Sequence, residues 1–505
     1  MTLSIINEIV NRPPVAGGNL YIATLSEQKT ISLRELYRMA GQVANGLLAQ
    51  GIRAGDTIGI LADNRLEWVL LDLAALRLKV RTAGFDPGKF TATPALVQDY
   101  RLKCLFTDKN ADAAHPAICD IKSINAFTGV YPEELPAVDY AADETTTIKF
   151  TSGSTGVPKG LAATVGSIDA SLHGVQRLFA HAPGDSLFVF LPLSLLQQRY
   201  WIYSALKYGH DVVLSNYQSA FVFMAQRQPT VVMGVPAFFE TARQHIIRQG
   251  GDDAAMKTHA RALFGERIRY LWTGSAPADA ATLDFYPRMD LPLYEGYGMN
   301  ETCIVTKNHP GAFRPGSVGQ VIDGKKVVID ENGNVVVYSD YPVNTRYLYA
   351  QEGASEKIFT PDGGVRTGDL GFIDSDGFLY IKGRSDNVIV LDNGKKIDVQ
   401  PIEARLRNAG VIAECVIFSP QQTDLVAVVS PASVPADIPA IHAALESVNA
   451  ATEKDEFISR LVIAGQPFSI DNGLLTSQYK PIRKAIFERY QHELNATVKE
   501  SHYVR

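Results

Sequence analysis

The segment Ile148 to Gly160 reads IKFTSGSTGVPKG and holds the residue types needed to grip an anion. An apolar, β-branched run gives way to hydroxyls and glycines, then to proline and lysine. Gly153, Gly156 and Gly160 lack a Cβ, so the backbone can turn where other residues clash and can aim N–H groups inward. Thr151, Ser152, Ser154 and Thr155 add donors, and Lys159 adds a positive charge. Together these features make a phosphate cradle. It is not a Walker A loop, in which lysine directly follows glycine and precedes Ser or Thr. Here Pro158 precedes Lys159 and Gly160 follows it. A flexible Gly/Ser surface loop is the plainer alternative, but low-complexity linkers rarely carry Pro-Lys-Gly directly behind a strand-like run.

Five further segments follow in order. They are WTGSAP at Trp272–Pro277, YEGYGMNET at Tyr294–Thr302, RTGD at Arg366–Asp369, GFLYIKGRSDNVI at Gly377–Ile389 and GLLTSQYKPIRK at Gly473–Lys484. Singly, each has a plain reading: a Gly-Ser-x-Pro turn, a turn with a buried tyrosine, a turn aspartate, a solvated arginine and a basic tail. In this order behind the phosphate cradle they resemble the adenylate-forming superfamily, which includes acyl- and aryl-CoA synthetases, luciferases and peptide-synthetase adenylation domains. The resemblance runs over most of the chain, as far as Lys480, and is closest to the fatty-acyl and long-chain acyl-CoA synthetases.

The resemblance implies a role for each matching position. Tyr297 stacks on adenine, and Gly274, Ser275, Ala276 and Pro277 form the wall beside it. Glu301 holds the Mg²⁺ that bridges ATP phosphates, which suits a hard ion that takes few carboxylates plus phosphate oxygens. Asn300 stands where the family has a threonine that touches the α-phosphate, and its amide can still donate a hydrogen bond. Asp369 accepts from the ribose hydroxyls, since an ionised carboxylate offers acceptors only. Arg384 reaches the ribose and phosphate. Lys480 contacts the carboxylate and the α-phosphate, where a positive charge offsets repulsion between two anions and stabilises the transition state.

The implied reaction has two halves. A carboxylate attacks the α-phosphorus of ATP, giving acyl-AMP and pyrophosphate, and a thiol then takes the acyl group and releases AMP. The family serves both halves by rotating a small C-terminal domain, with Lys480 facing the site first and the loop around Gly394, part of the pantetheine channel, facing it second. Asp386 matches the hinge position.

Three details bear on the acid. LPLSLLQQR at Leu191–Arg199 resembles a fatty-acyl segment, with Leu195 where that branch has histidine. GVPAFFE at Gly234–Glu240 resembles a long-chain helix start, or is simply a helix with Pro236 in its first turn and a buried Phe pair. Leu475–Lys484 looks like the long-chain ending. A fatty acid is favoured, with an aryl acid as competitor. Coenzyme A is the expected acceptor, with an acyl carrier protein as the alternative. Two other classes stay open: a ligase or acyl transferase that uses no CoA, and a non-catalytic adenylate-binding module.

With 505 residues and 46% hydrophobic content, the chain is long enough for more than one domain and rich enough for large cores. A net charge of -6 gives no reason to expect a nucleic-acid partner. Cys104, Cys119, Cys303 and Cys415 lack metal-ligand spacing and read as reduced cytosolic thiols. No signal peptide opens the chain, and no stretch approaches a membrane span. These features point to a cytoplasmic protein.

Ser32–Gln50 has helical apolar spacing, with Ser32 as N-cap and Gly51 as stop. Asp56–Leu61 reads as a strand, Arg65–Leu78 and Ser167–Phe179 as helices, and Ser186–Leu191, Thr230–Gly234 and Ile268–Leu271 as strands. This alternation predicts α/β layers with largely parallel sheets. Beyond Gly316, short strands at Val327–Ile329, Val335–Tyr338 and Phe378–Lys382 punctuated by Asn332-Gly333 and Asp376-Gly377 predict hairpins; the resemblance implies a small β-barrel-like subdomain there. A smaller α+β unit follows, with a turn at Asn393-Gly394, a helix at Pro401–Ala409 and strands at Glu414–Phe418 and Leu425–Val429. The expected organisation is α/β, with a large N-terminal adenylate-binding domain over 1–383, hinged to a mobile α+β C-terminal domain over 384–505.

Overall fold

The computed structural model describes residues 4–15, 17–109, 115–151, 158–392, 395–453, 456–476, 479–496 and 502–503. The chain divides into two compact units, one formed by Met1–Thr367 with Phe372–Ile381 and the other by Gly368–Gly371 with Lys382–Arg505.

Two α/β sheets dominate the first unit. One has six strands in the order Ile118–Asp120, Cys104–Thr107, Thr57–Leu61, Arg81–Phe85, Thr145–Thr151 and Lys159–Thr164, and only the last pairing is antiparallel. The other has nine: Gln320–Val321, Cys303–Lys307, Leu293–Met299, Tyr270–Thr273, Val231–Gly234, Ser186–Val189, Asp211–Leu214, Asn19–Ala23 and Gln28–Ser32. Its central six strands are parallel, and the strands outside them pair antiparallel. The helix Leu66–Arg77 is buried along its whole length, as expected of a helix that is apolar nearly all round.

Local chemistry explains most boundaries. Ser32 accepts a hydrogen bond from the Glu35 amide at 3.1 Å and starts the helix Leu33–Ala49. The helix expected from Ser167 begins instead at Val165, because the Thr164 hydroxyl accepts from the Ser167 amide and takes the cap. The strand expected at Ile268–Leu271 is shifted to Tyr270–Thr273, whose register sets Trp272 against Tyr294 and Thr273 against Glu295. Aromatic residues fit a pleated, packed surface, which extends the strand past the apolar run.

The hairpin Lys325–Ile329/Asn334–Ser339 lies in a four-stranded sheet with Val365–Ile373 and Leu379–Arg384, where the sequence resemblance implied a barrel-like subdomain. The second unit is α+β. The strands Ile412–Phe418, Leu425–Pro431, Ile458–Ile463 and His502–Tyr503 form its sheet. The helices Gln400–Arg407 and Ile438–Ala450 contribute Ile402, Leu406, Ile441 and Leu445 to one core cluster, and Arg483–Arg489 contributes Ile486 to another.

Candidate active site

The strand Thr145–Thr151 is the spine of the phosphate-loop region. It ends on Thr151, which pairs across the antiparallel ladder with Lys159. A buried polar network fastens the strand from below. Arg199 donates to Asp72 at 2.8 Å, to Thr82 at 3.1 Å and to Thr147 at 2.8 Å, with the Tyr203 hydroxyl also on Asp72. Arg199 closes the LPLSLLQQR segment, so that segment's arginine is a core anchor. Leu195 caps the helix Leu196–Tyr208, which buries Tyr200, Trp201 and Tyr203. Ser152, Gly153, Ser154, Thr155 and Gly156 lie outside the described residues, as does Gly394.

The described end of the loop meets the carboxylate expected to hold the metal. The Lys159 ammonium lies 4.9 Å from the centre of the Tyr347 ring, and the Tyr347 hydroxyl donates to Glu301 Oε1 at 2.7 Å. Glu301 is 6% exposed. Burial, and then the adjacent carboxylate, push the Tyr347 phenol well above its ordinary range, so it remains a donor. The surroundings of the Glu301 carboxylate are compatible with a hard divalent ion. Oε1 takes the phenol, and no described protein donor occupies Oε2. Such an ion takes one or two carboxylates and completes its shell with water and phosphate oxygens.

Tyr347 belongs to none of the sequence motifs. It sits in an irregular stretch without periodicity, and what places it is long-range. Leu348 exchanges two backbone hydrogen bonds with Gly160, each 2.8 Å. The Tyr347 amide donates to Ser355 Oγ at 3.0 Å, and its ring packs edge-on against Phe359.

The expected adenine wall is assembled from neighbouring strands. Tyr297 lies on Leu293–Met299, opposite Thr306 and just before a bulge. A Cβ on Gly274 would lie 3.0 Å from the Gly296 carbonyl oxygen, so WTGSAP and YEGYG run at close backbone approach. Ser275 and Pro277 are exposed, whereas Gly274 and Ala276 are partly covered. Asn300 sits in the turn after the strand and is also partly covered. That hairpin is tight: a Cβ on Gly298 would meet the Cys303 carbonyl oxygen at 1.9 Å, so only glycine fits there.

Two features behind the wall were illegible in the sequence because they arise across strands. Lys307 is fully buried, donating to the Tyr294 carbonyl at 2.7 Å, with its ammonium 3.6 Å from the Trp272 ring centre. Burial holds its pKa well below the usual lysine range and pushes that of the nearby Glu295 up to about 7. Cys303 Sγ accepts from the Lys149 ammonium at 3.6 Å and shares a hydrogen bond with the Tyr200 hydroxyl at 3.2 Å. Burial works against ionisation of that thiol, but Lys149 and Lys325 outweigh it and bring the thiol below its ordinary range. All four cysteines are free.

The second unit carries the remaining candidates. Asp369, on Val365–Ile373, accepts from Arg384 Nη1 at 3.3 Å, so these two are brought together. Gly368 beside them has φ +74°, and a Cβ there would lie 2.9 Å from Arg384 Nη2. Asp386 lies in the single helical turn Ser385–Asn387 that follows. Lys480 sits on a separate turn, its amide donating to Thr476 Oγ1 at 3.1 Å and its carbonyl accepting from the Thr476 amide at 2.8 Å. Arg483 is no solvated tail residue: it donates to Glu403 Oε1 at 2.7 Å and to the Ile417 carbonyl, anchoring the helix that follows Lys480.

The GVPAFFE segment forms the start of the helix Pro236–Arg248, with Pro236 in the first turn. Phe238 and Phe239 are both buried, and Phe238 packs 4.4 Å from Phe190 between ring centres. Among the described residues no helix is long and apolar enough to cross a membrane.

Comparison with known proteins places these features in a wider set. A family model described as "AMP-binding enzyme" matches residues 16–340, and one described as "AMP-binding enzyme C-terminal domain" matches 386–502. The chain is 28% identical to the long-chain-fatty-acid–CoA ligase FadD15 of Mycobacterium bovis, covering 90% of each protein. It is 26% identical to the 2-succinylbenzoate–CoA ligase of Bacillus subtilis, over 78% of this chain and 81% of that one. Its fold matches that of o-succinylbenzoate CoA synthetase from Bacillus subtilis, solved with its acyl-adenylate intermediate, at a TM-score of 0.77 and 21% identity, covering 96% of this chain and 97% of that one.

Proposed function

The chain belongs to the AMP-binding enzyme family, and on that premise we propose that it activates a carboxylic acid with ATP as acyl-AMP and passes the acyl group to the thiol of coenzyme A. The observation that carries this reading is the line from Lys159 through Tyr347 to Glu301. It sets a cation at the described end of the phosphate loop and an anion within one tyrosine of each other. ATP bound as its magnesium complex presents the complementary pattern, phosphate oxygens for the lysine and a divalent ion for the carboxylate.

The other proposed roles rest on the resemblance of the sequence motifs. Tyr297 and the backbone of Gly274–Pro277 receive the adenine. Asp369 and Arg384 serve the ribose, the carboxylate accepting from the diol and the guanidinium fixing its direction. Lys480 neutralises charge as the carboxylate oxygen attacks the α-phosphorus. Asn300 donates to the α-phosphate in place of a hydroxyl. A Mg²⁺ ion on Glu301 supplies charge neutralisation at the phosphates. Reorientation about Asp386 then exchanges Lys480 for the Gly394 loop, so that the 384–505 domain serves both halves of the reaction. With its thiols unpaired, the enzyme is proposed to work in the cytoplasm.

A fatty acid is the proposed substrate, supported by the relative FadD15 along 90% of the chain. An aryl acid is the second reading, favoured by similarity to a 2-succinylbenzoate–CoA ligase. Pyrophosphate release, measured over a panel of fatty and aryl acids with and without CoA, tests both. Acid-dependent pyrophosphate with CoA consumption supports a CoA ligase, and the acid giving the highest kcat/KM identifies the class. Pyrophosphate release that consumes no CoA rejects CoA as acceptor, and CoA-free turnover onto a carrier protein points to the alternative acceptor.

A further inference from the structure

Tyr347 touches both charged groups of the proposed nucleotide site, yet no motif assigns it a task. Its hydroxyl donates to Glu301 Oε1 at 2.7 Å, and its ring lies 4.9 Å below the Lys159 ammonium. Three separate stretches of chain therefore meet on one side chain: the strand after the phosphate loop, the hairpin turn after Tyr297 and the irregular segment around Leu348. The tyrosine is itself held on three sides. Its amide is tied to Ser355, its ring abuts Phe359, and the next residue is stitched to Gly160 by a reciprocal pair of backbone bonds.

We propose that Tyr347 is the positioning residue that couples metal binding at Glu301 to phosphate binding at Lys159, an inference that rests on the ATP-dependent reading above. The phenol takes one carboxylate oxygen and fixes the plane of the group, so Oε2 is presented to a divalent ion in one orientation. Outer groups that hold a metal-binding carboxylate matter in this way because they remove its rotational freedom and spread its charge. The ring face supplies the second half. An ammonium over a tyrosine ring is attracted by the ring's negative face, which holds Lys159 in place with no carboxylate salt bridge to it among the described residues. Aspartate or glutamate in place of Tyr347 would neutralise the lysine, and phenylalanine would hold the lysine but leave Glu301 without its donor. Tyrosine serves both groups at once.

The two halves separate by substitution. The measurement is calorimetric binding of ATP to the full-length protein, with no acid present, over a Mg²⁺ titration. Tyr347→Phe is expected to shift the Mg²⁺ dependence of ATP binding to about tenfold higher concentration, while binding of metal-free ATP is unchanged. Tyr347→Leu is expected to show the same metal shift and a further few-fold loss of metal-free ATP affinity, from the lost ring. In a Glu301→Gln background, Tyr347→Phe is expected to add nothing to the metal dependence, because both substitutions remove one coupled interaction. The proposal is overturned if Tyr347→Phe superimposes on the wild-type Mg²⁺ titration, or if it shifts that titration equally in the Glu301→Gln background. Wild-type protein that binds no ATP, or binds it without regard to Mg²⁺, overturns the ATP-dependent reading together with this one, whereas a normal wild-type titration with an unshifted variant overturns only the role of Tyr347.

Discussion

Asp72→Asn tests whether the buried network under the phosphate-loop strand is as consequential as its geometry implies. Arg199 and Asp72 meet at 2.8 Å with side chains 1% and 6% exposed. The guanidinium also binds Thr82 and Thr147, so one ion pair joins the helix Leu66–Arg77, the helix Leu196–Tyr208 and two parallel strands. Asparagine keeps the size of the side chain but removes its charge, leaving Arg199 buried without a counter-ion. Removing one partner of a buried pair costs about 3–5 kcal/mol. The urea slope of a unit this large exceeds the roughly 1–3 kcal/mol/M of small proteins, so the midpoint is expected to fall by about 1 M. The assay is urea unfolding followed by far-ultraviolet circular dichroism and tryptophan fluorescence. The double variant Asp72→Leu/Arg199→Met is expected to recover part of the loss, because apolar replacement of a whole buried pair is often neutral or stabilising, while the Tyr203 hydroxyl loses its acceptor. If Asp72→Asn unfolds within about 1 kcal/mol of wild type, or the double variant is as unstable as the single, the pair does not carry the energy assigned to it.

Three other outcomes are expected. Lys480→Ala abolishes acyl-AMP formation but spares thioester formation from supplied acyl-AMP, measured as two separate half-reactions; equal loss of both rejects the division of labour. Asp386→Pro stalls thioester formation and spares adenylation, because proline fixes φ; normal turnover removes Asp386 as the pivot. Glu295→Gln raises stability at pH 8 and leaves it unchanged near pH 4.5, read from unfolding midpoints. Burial raises the Glu295 carboxyl from 4.5 to about 7, so the folded state holds more protons than the unfolded state across that window. Stability therefore falls as pH rises through it, and glutamine, which mimics the protonated form, removes up to about 3 kcal/mol of this penalty at pH 8.

The parts of this chain that the sequence made legible are those governed by local chemistry. Ser32 caps its helix through its own hydroxyl, the strand-like run before the phosphate loop is a strand, and Pro236 starts a helix with Phe238 and Phe239 beneath it. The parts that were hidden depend on partners distant in the chain. Tyr347 reaches Glu301 across 46 residues, and nothing in its own neighbourhood marks it. Lys307 reads as an ordinary charged residue until strand pairing closes it under Trp272. Arg483 reads as part of a basic tail, yet it reaches Glu403 across 80 residues. The strand at Tyr270–Thr273 began later than its apolar run suggested, because cross-strand register, not hydropathy alone, decided where pairing starts.

In the proposed reaction a carboxylate oxygen attacks the α-phosphorus of ATP. Turnover of a carboxylic acid labelled with ¹⁸O in its carboxylate, with ATP, Mg²⁺ and CoA, followed by mass spectrometry of the nucleotide product, tests it most directly. The expected product is AMP carrying one ¹⁸O, because the attacking oxygen stays on phosphorus when the thiol takes the acyl group. Unlabelled AMP, or ADP with the label in inorganic phosphate, would contradict it.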